Sequence, residues 1–166
     1  MKFFTRTVAI MLFMSMFIGI QSQAQEESKW TSGSSFSLAF PMGDMDGVYD
    51  MGYGIYGNID YNFSSFLAAR FDLGWNTFKT TDIKDLDTGL ALDEKLNVWE
   101  ITGGLRAKIA IFYVEARGGY FTGIKEWGVV PAVGLRLGKL DIQGSYTVAG
   151  DYQWASARVA YYWGAK

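Results

Sequence analysis

The chain has no cysteine and no histidine among its 166 residues, and it has only two prolines. Without cysteine, neither a disulfide framework nor a thiolate metal site is possible. Without histidine, the side chain that most often acts as a general base or a metal ligand is missing. We therefore predict a protein that is not an enzyme, with no catalytic, cofactor-binding or metal-ligating residues.

The longest apolar run is too short for a transmembrane helix, which needs about 20 residues. The run VAIMLFMSMFIGI, residues 8–20, has 13 residues and follows a basic start with Lys2 and Arg6. Ser22 and Ala24 stand where the small residues of a cleavage site are expected. This layout predicts a cleaved signal peptide over 1–24 and a single domain over 25–166. An uncleaved N-terminal anchor is the alternative.

Positive charge is also scarce. Without Lys2 and Arg6, 13 of the 15 basic residues remain against 17 acidic ones. A nucleic-acid-binding protein needs a basic face, so we expect no nucleic-acid partner. Aromatic residues make up 17% of the chain and there are 20 glycines, which favours strands over helices.

Most of the chain after Lys29 alternates between apolar and polar residues with the period-two pattern of a strand. The pattern predicts eight strands, at about 30–41, 48–63, 67–79, 96–109, 111–121, 127–138, 140–149 and 153–163. Three connections are tight, at 64–66, near 109–110 and at 138–139. The other four are longer or more polar, at 42–47, 80–95, 122–126 and 150–153. Short and long links that alternate predict an up-and-down barrel with turns at one end and loops at the other.

The polar faces of these strands carry a balanced set of charges. The six acids and six bases are Asp50, Asp60, Asp72, Glu100, Glu115 and Asp141 with Arg70, Arg106, Lys108, Arg117, Arg136 and Arg158. Unpaired buried charge is costly, so this balance predicts that the polar faces line a closed lumen and the apolar faces meet lipid. A soluble, secreted lipocalin-like barrel, with an apolar lumen, is the less favoured alternative.

Aromatic residues fall near both ends of the predicted strands, as they do at the two interfaces of a membrane. Near the turns are Trp30, Tyr61, Phe63, Phe112 and Trp163. Near the loops are Phe40, Tyr49, Trp75, Trp99, Tyr120 and Trp127.

With these features the chain resembles the small eight-stranded outer-membrane β-barrels, the OmpA/OmpX-like family, over residues 30–163. Its last strand, WASARVAYYW, is similar to that family's terminal assembly signal, with Val159, Tyr161 and Trp163 in the signal positions. The chain departs from the family in that Gly-Ala-Lys follows the last aromatic residue. The resemblance implies a Gram-negative outer membrane, lipid contact and insertion by the barrel-assembly machinery.

The functional hypothesis is a structural scaffold whose loops, chiefly 80–95, contact a possible extracellular partner. A narrow, porin-like channel or small-ligand carrier is the alternative, because glycines on the polar faces leave room in the lumen. Glu100 and Glu115 could form a glycosidase pair, although an ion network with arginines is favoured. Asp82, Asp85 and Asp87 could bind calcium, although a solvated acidic loop is favoured.

Overall fold

The structure, a computed structural model, describes residues 29–80 and 95–163. The predicted signal peptide and most of the loop 80–95, including Asp82, Asp85 and Asp87, lie outside the described residues. Within these two ranges, no helix is long and apolar enough to cross a membrane.

The described residues form a closed antiparallel barrel in which each strand pairs with the next and β1 pairs with β8. The strands are β1 Trp30–Met42, β2 Gly52–Asn62, β3 Leu67–Lys79, β4 Lys95–Ile109, β5 Phe112–Phe121, β6 Glu126–Leu137, β7 Leu140–Ala149 and β8 Tyr152–Tyr162. This confirms the predicted eight-stranded up-and-down barrel and the order of its strands.

Burial follows the alternation of the sequence. In β1 exposed and buried residues take turns from Trp30 to Ala39, and β2 and β5 show the same pattern. Successive side chains of a strand point to opposite faces, so one set fills the interior of the closed sheet. The predicted division into two faces therefore arises directly from the pleat.

Connections at one end of the barrel, the turn end, are short: residues 63–66, 110–111 and 138–139. In the last of these, Gly138 has a φ of 61°, a conformation that glycine adopts without strain. At the other end, the loop end, residues 43–51 include a 3₁₀ helix, Gly43–Met45. The link predicted at 150–153 is polar but shorter than predicted, because Ala149 pairs with Tyr152 and only Gly150 and Asp151 remain in the turn.

Candidate functional site

The interior of the barrel holds five arginines and five carboxylates, contributed by every strand except β1. Nine of the ten are buried, and the side chain of Arg136 is 11% exposed. The set consists of Asp60, Arg70, Asp72, Glu100, Arg106, Glu115, Arg117, Arg136, Asp141 and Arg158. Its formal charges cancel, as a desolvated interior requires. We call these ten residues the ion network.

Asp72 is a hub of the ion network. Its carboxylate accepts hydrogen bonds from Arg70 Nε at 2.8 Å, from Arg158 Nη1 at 2.7 Å and from Arg117 Nη1. These three arginines come from β3, β8 and β5. The guanidinium of Arg158 also lies over the ring of Tyr56, 3.6 Å from its centroid, in a cation–π contact. One carboxylate thus joins three strands across the lumen.

A second hub lies closer to the turn end. Arg106 donates to Glu115 at 2.7 Å and to Asp141 at 3.0 Å. Arg136 donates to the same Asp141 at 3.2 Å and to Asp60 at 2.7 Å. Charge-assisted bonds of this kind are stronger than neutral ones. Each arginine thus bonds to its direct neighbour on the next strand and also to a carboxylate on a strand across the lumen.

Glu115, one of the two carboxylates predicted as a possible glycosidase pair with Glu100, contacts arginines of both hubs. Its Oε1 lies 2.7 Å from Arg117 Nε, while its Oε2 accepts from Arg106. Glu100 is held differently, by the hydroxyl of Tyr56 at 2.9 Å and by the amide of Asn76. Among the described residues no cationic nitrogen lies within 4.0 Å of Glu100. Both carboxylates are thus engaged by neighbouring side chains, which favours a structural role over a glycosidase pair.

Of the twelve residues predicted for the lumen, one lies outside it and one lies at its turn-end mouth. The prediction for Asp50 is wrong: β2 begins at Gly52, so Asp50 is in the preceding connection and is exposed. Lys108 is only half-buried, at the turn end, where it donates to Asn62 Oδ1 at 2.7 Å. Without Asp50 and Lys108, the other ten residues still have equal numbers of acids and bases, five of each.

An apolar cluster that the sequence analysis missed closes the loop end of the lumen. Phe78 and Phe121 place their rings 5.7 Å and 5.6 Å from Trp154 in edge-on contacts, and Met45 from the 3₁₀ helix is 2% exposed above them. We call this group the apolar cap; its buried members are Ala39, Met45, Phe78, Val98, Phe121, Val130, Ala149 and Trp154. Tyr49 packs against the apolar cap, so its assignment to the aromatic belt is wrong.

The glycines on the polar faces do not leave an open path. A Cβ on Gly74 would lie 2.0 Å from the ring of Tyr56, and one on Gly134 would lie 2.3 Å from the hydroxyl of Tyr113. These positions need glycine because large rings already occupy the space beside them. The described lumen is therefore packed with side chains, as is usual for barrels of eight strands.

The outer surface of the barrel is apolar along its length and aromatic near its ends. At the turn end Trp30, Phe63, Phe112 and Trp163 are exposed, and at the loop end Phe40, Trp99 and Trp127 are exposed. Between them lie apolar residues such as Leu105, Val133 and Ile142, each at least half exposed. A soluble protein rarely exposes a continuous apolar surface of this extent.

The predicted assembly signal also lies on this outer surface. Val159 and Tyr161 on β8 and Trp163 just after it are exposed to 53%, 42% and 58%. Tyr161 and Trp163 contact each other, with ring centroids 6.3 Å apart. All three side chains are therefore accessible from outside the barrel.

No protein-family profile and no curated protein sequence matches the chain. Among solved structures, it is similar to Ail, the attachment invasion locus protein of Yersinia pestis, in complex with the heparin analogue sucrose octasulfate. That alignment has a TM-score of 0.54 and 13% identity, over 80% of this chain and 97% of Ail. Ail in a phospholipid bilayer nanodisc gives a TM-score of 0.51 and 13% identity, over 80% and 99%.

A de novo designed transmembrane β-barrel aligns with a TM-score of 0.51 and 19% identity, over 84% of this chain and all of the design. At these identities the likeness concerns the fold. The chain has the fold of the small eight-stranded outer-membrane β-barrels.

Proposed function

We propose that this protein is an integral protein of a bacterial outer membrane, whose barrel is a closed scaffold and not a pore or an enzyme. The observation that carries the proposal is the combination of a charged, fully packed interior with an apolar exterior. In water the two surfaces would be reversed, because exposed apolar area is unfavourable and charges prefer hydration. In a bilayer the same arrangement is stable, which also disfavours the lipocalin-like alternative.

The interior supports a role without transport. A hydrated ion entering from the loop end meets Phe78, Phe121 and Trp154, and beyond them the ion network. The apolar cap has no charged side chain, and the charged groups of the ion network are already bonded to one another or, for Glu100, to Tyr56 and Asn76. We therefore infer a non-conducting lumen, with a narrow channel or small-ligand carrier as the second candidate.

The loop end is the proposed contact region. Exposed acids of the described residues are all found there: Asp44, Asp46, Asp50, Glu126 and Asp151. They outnumber the three exposed lysines of that end, Lys79, Lys95 and Lys125. The Ail structure holds a heparin analogue, a polyanion. On charge grounds we propose for this chain a different extracellular partner, with a basic surface, that contacts loop 80–95 and its neighbours.

Insertion is the remaining part of the proposal. The outward side chains Val159, Tyr161 and Trp163 present an apolar edge at the end of the last strand. We propose that the barrel-assembly machinery recognises this edge before β8 pairs with β1.

The testing experiment is single-channel recording in a planar bilayer from refolded protein whose gel mobility changes on boiling. We expect no discrete conductance from the folded, inserted chain. A matched variant, Phe78→Ala with Trp154→Ala, removes the centre of the apolar cap but keeps the ion network. Reproducible openings in the unmodified protein would contradict the closed lumen and make transport the leading function. Failure to insert at all would contradict the membrane assignment itself.

A further inference from the structure

A groove of about 900 Å³ crosses the outer surface of the barrel. Ser34 and Gly57 pair opposite each other on β1 and β2 and form its floor. Larger side chains wall it, among them Phe36 and Leu73, and almost all of its lining is apolar. The groove is thus a depression between the large side chains that project from the rest of the outer surface. Its shape and polarity suit a hydrocarbon chain.

The ends of the groove differ in height along the barrel. Trp75 and Trp99 line it near the loop end, and Leu140 and Tyr161 line it near the turn end. Lys139 immediately precedes Leu140, and Lys29 immediately precedes β1, whose Ser34 is on the groove floor. Both lysines are exposed. The turn-end mouth of the groove is therefore flanked by two ammonium groups.

The two lysines are close enough to share one ligand. The backbone carbonyl of Lys139 accepts from Tyr162 of β8, and β8 in turn pairs with β1. Two interstrand spacings, about 10 Å in all, separate the strands that carry them, and Lys29 lies four residues, about 13 Å, beyond Gly33, which is level with Tyr162. The two Cα atoms are therefore about 16 Å apart, which two extended lysine side chains of about 6 Å each can bridge with an anion between them. Their long, flexible stems allow both ammonium groups to reach an anion between them. Trp30 and Trp163, exposed to 63% and 58%, lie at the same level and mark the membrane interface there.

The two ends of the groove differ in whether an acid lies beside their lysines. At the turn end, no acid of the described residues is exposed; Glu26 and Glu27 lie outside them. At the loop end, by contrast, Lys79 and Lys95 stand above the other end of the groove with Asp50 beside them, since the amide of Asp50 donates to the carbonyl of Lys79. An anionic ligand is thus better matched to the turn end.

From this geometry we propose that the groove binds an anionic glycerophospholipid of the leaflet at the turn end. Its phosphate lies between Lys29 and Lys139, and one acyl chain lies over Ser34 and Gly57. Ser34 is about 17 Å along the strand from Lys29, and less in depth because barrel strands are tilted. This fits within one leaflet, whose hydrocarbon is about 15 Å deep. The inference rests on the proposed membrane function and adds a specific lipid site to it.

The headgroup is tested with spin-labelled lipids in vesicles of phosphatidylcholine that contain the refolded chain. We expect spin-labelled phosphatidylglycerol to associate more strongly than spin-labelled phosphatidylcholine. The double variant Lys29→Gln with Lys139→Gln should lose this preference, because we expect each lysine to raise the relative affinity for phosphatidylglycerol about fivefold. The matched control, Lys79→Gln with Lys95→Gln, changes two lysines at the loop end and should keep it.

The acyl-chain part is tested by filling the groove. Gly57→Leu places a side chain on the groove floor, and Gly144→Leu places one on the outer surface away from it. A Cβ at either glycine meets no atom within 4 Å, so both variants should fold. We expect Gly57→Leu to lower the phosphatidylglycerol preference at least fivefold and Gly144→Leu to leave it unchanged.

The possible outcomes distinguish failure of the lipid site from failure of the proposed membrane function. A folded, inserted barrel with no lipid preference would overturn the lipid site and leave the membrane scaffold intact. Loss of preference in the loop-end control instead of the turn-end variant would assign the headgroup to the other leaflet and also overturn the inference. A chain that does not insert into vesicles would contradict the proposed function.

Discussion

We expect Asp72→Asn to lower the free energy of unfolding by about 3–5 kcal/mol. The substitution keeps the shape of the side chain and removes its charge from three arginines. Arg70 still has Glu115 and Asp60 within 3.7 Å, and Arg117 still has Glu115 at 2.7 Å. Among the carboxylates of the described residues, only Asp72 lies within 4.0 Å of Arg158. The expected loss is therefore that of one buried, unpaired guanidinium, and not the sum of three ion pairs.

The assay is equilibrium unfolding in urea of the barrel refolded in lipid vesicles. Asp44→Asn is the matched control, because Asp44 is exposed at the loop end and should change the stability by less than about 0.5 kcal/mol. The double variant Asp72→Asn with Arg158→Met removes the unpaired cation and should regain part of the lost stability. Equal effects of Asp72→Asn and Asp44→Asn, or simple additivity in the double variant, would refute the assignment of Arg158 to Asp72.

Further substitutions probe the other surfaces. Phe78→Ala, in the apolar cap, should cost about 3–5 kcal/mol in the same unfolding assay, because Phe78 is fully buried against Trp154. Val133→Arg, on the outer surface at mid-barrel, should cost about 2–4 kcal/mol in lipid, whereas Val48→Arg before β2 should cost much less. Trp163→Ser should reduce the amount of folded barrel in the outer membrane of expressing cells, while spontaneous refolding into vesicles should change little.

The alternation of the sequence was enough to predict the strands and their faces. Arg70 and Asp72 are two residues apart, so they share a face whatever the exact ends of β3. The same regularity produced the error at Asp50. Tyr49, Met51 and Tyr53 continue the alternating pattern across the connection, although β2 begins only at Gly52. Residues 48–51 instead form part of a turn and an isolated bridge at Tyr49, and a period-two pattern in the sequence does not distinguish these from a strand.

The apolar cap was missed for a different reason. The faces were sorted by polarity, so most apolar residues were assigned to the outside, and of the buried members of the apolar cap only Phe78 was expected in the lumen. Position along the strand is the better guide: Trp154 is four residues before Arg158, and Val98 is two before Glu100. Each therefore points into the lumen with its charged neighbour. The partners within the ion network were also beyond prediction, because they depend on side-chain reach across the lumen and not on spacing within one strand.

The ion network has a consequence for the way the barrel enters a membrane. Arg158 and Asp72 are 86 residues apart in the chain, so their contact forms only when the last strand meets the first ones. In an open sheet within lipid, five arginines would face hydrocarbon, at about 2–4 kcal/mol each near the midplane. A route that inserts the strands one after another is thus opposed by a barrier of roughly 10–20 kcal/mol. Closure and insertion must therefore occur as one concerted event, with the charges already turned toward each other before they lose water.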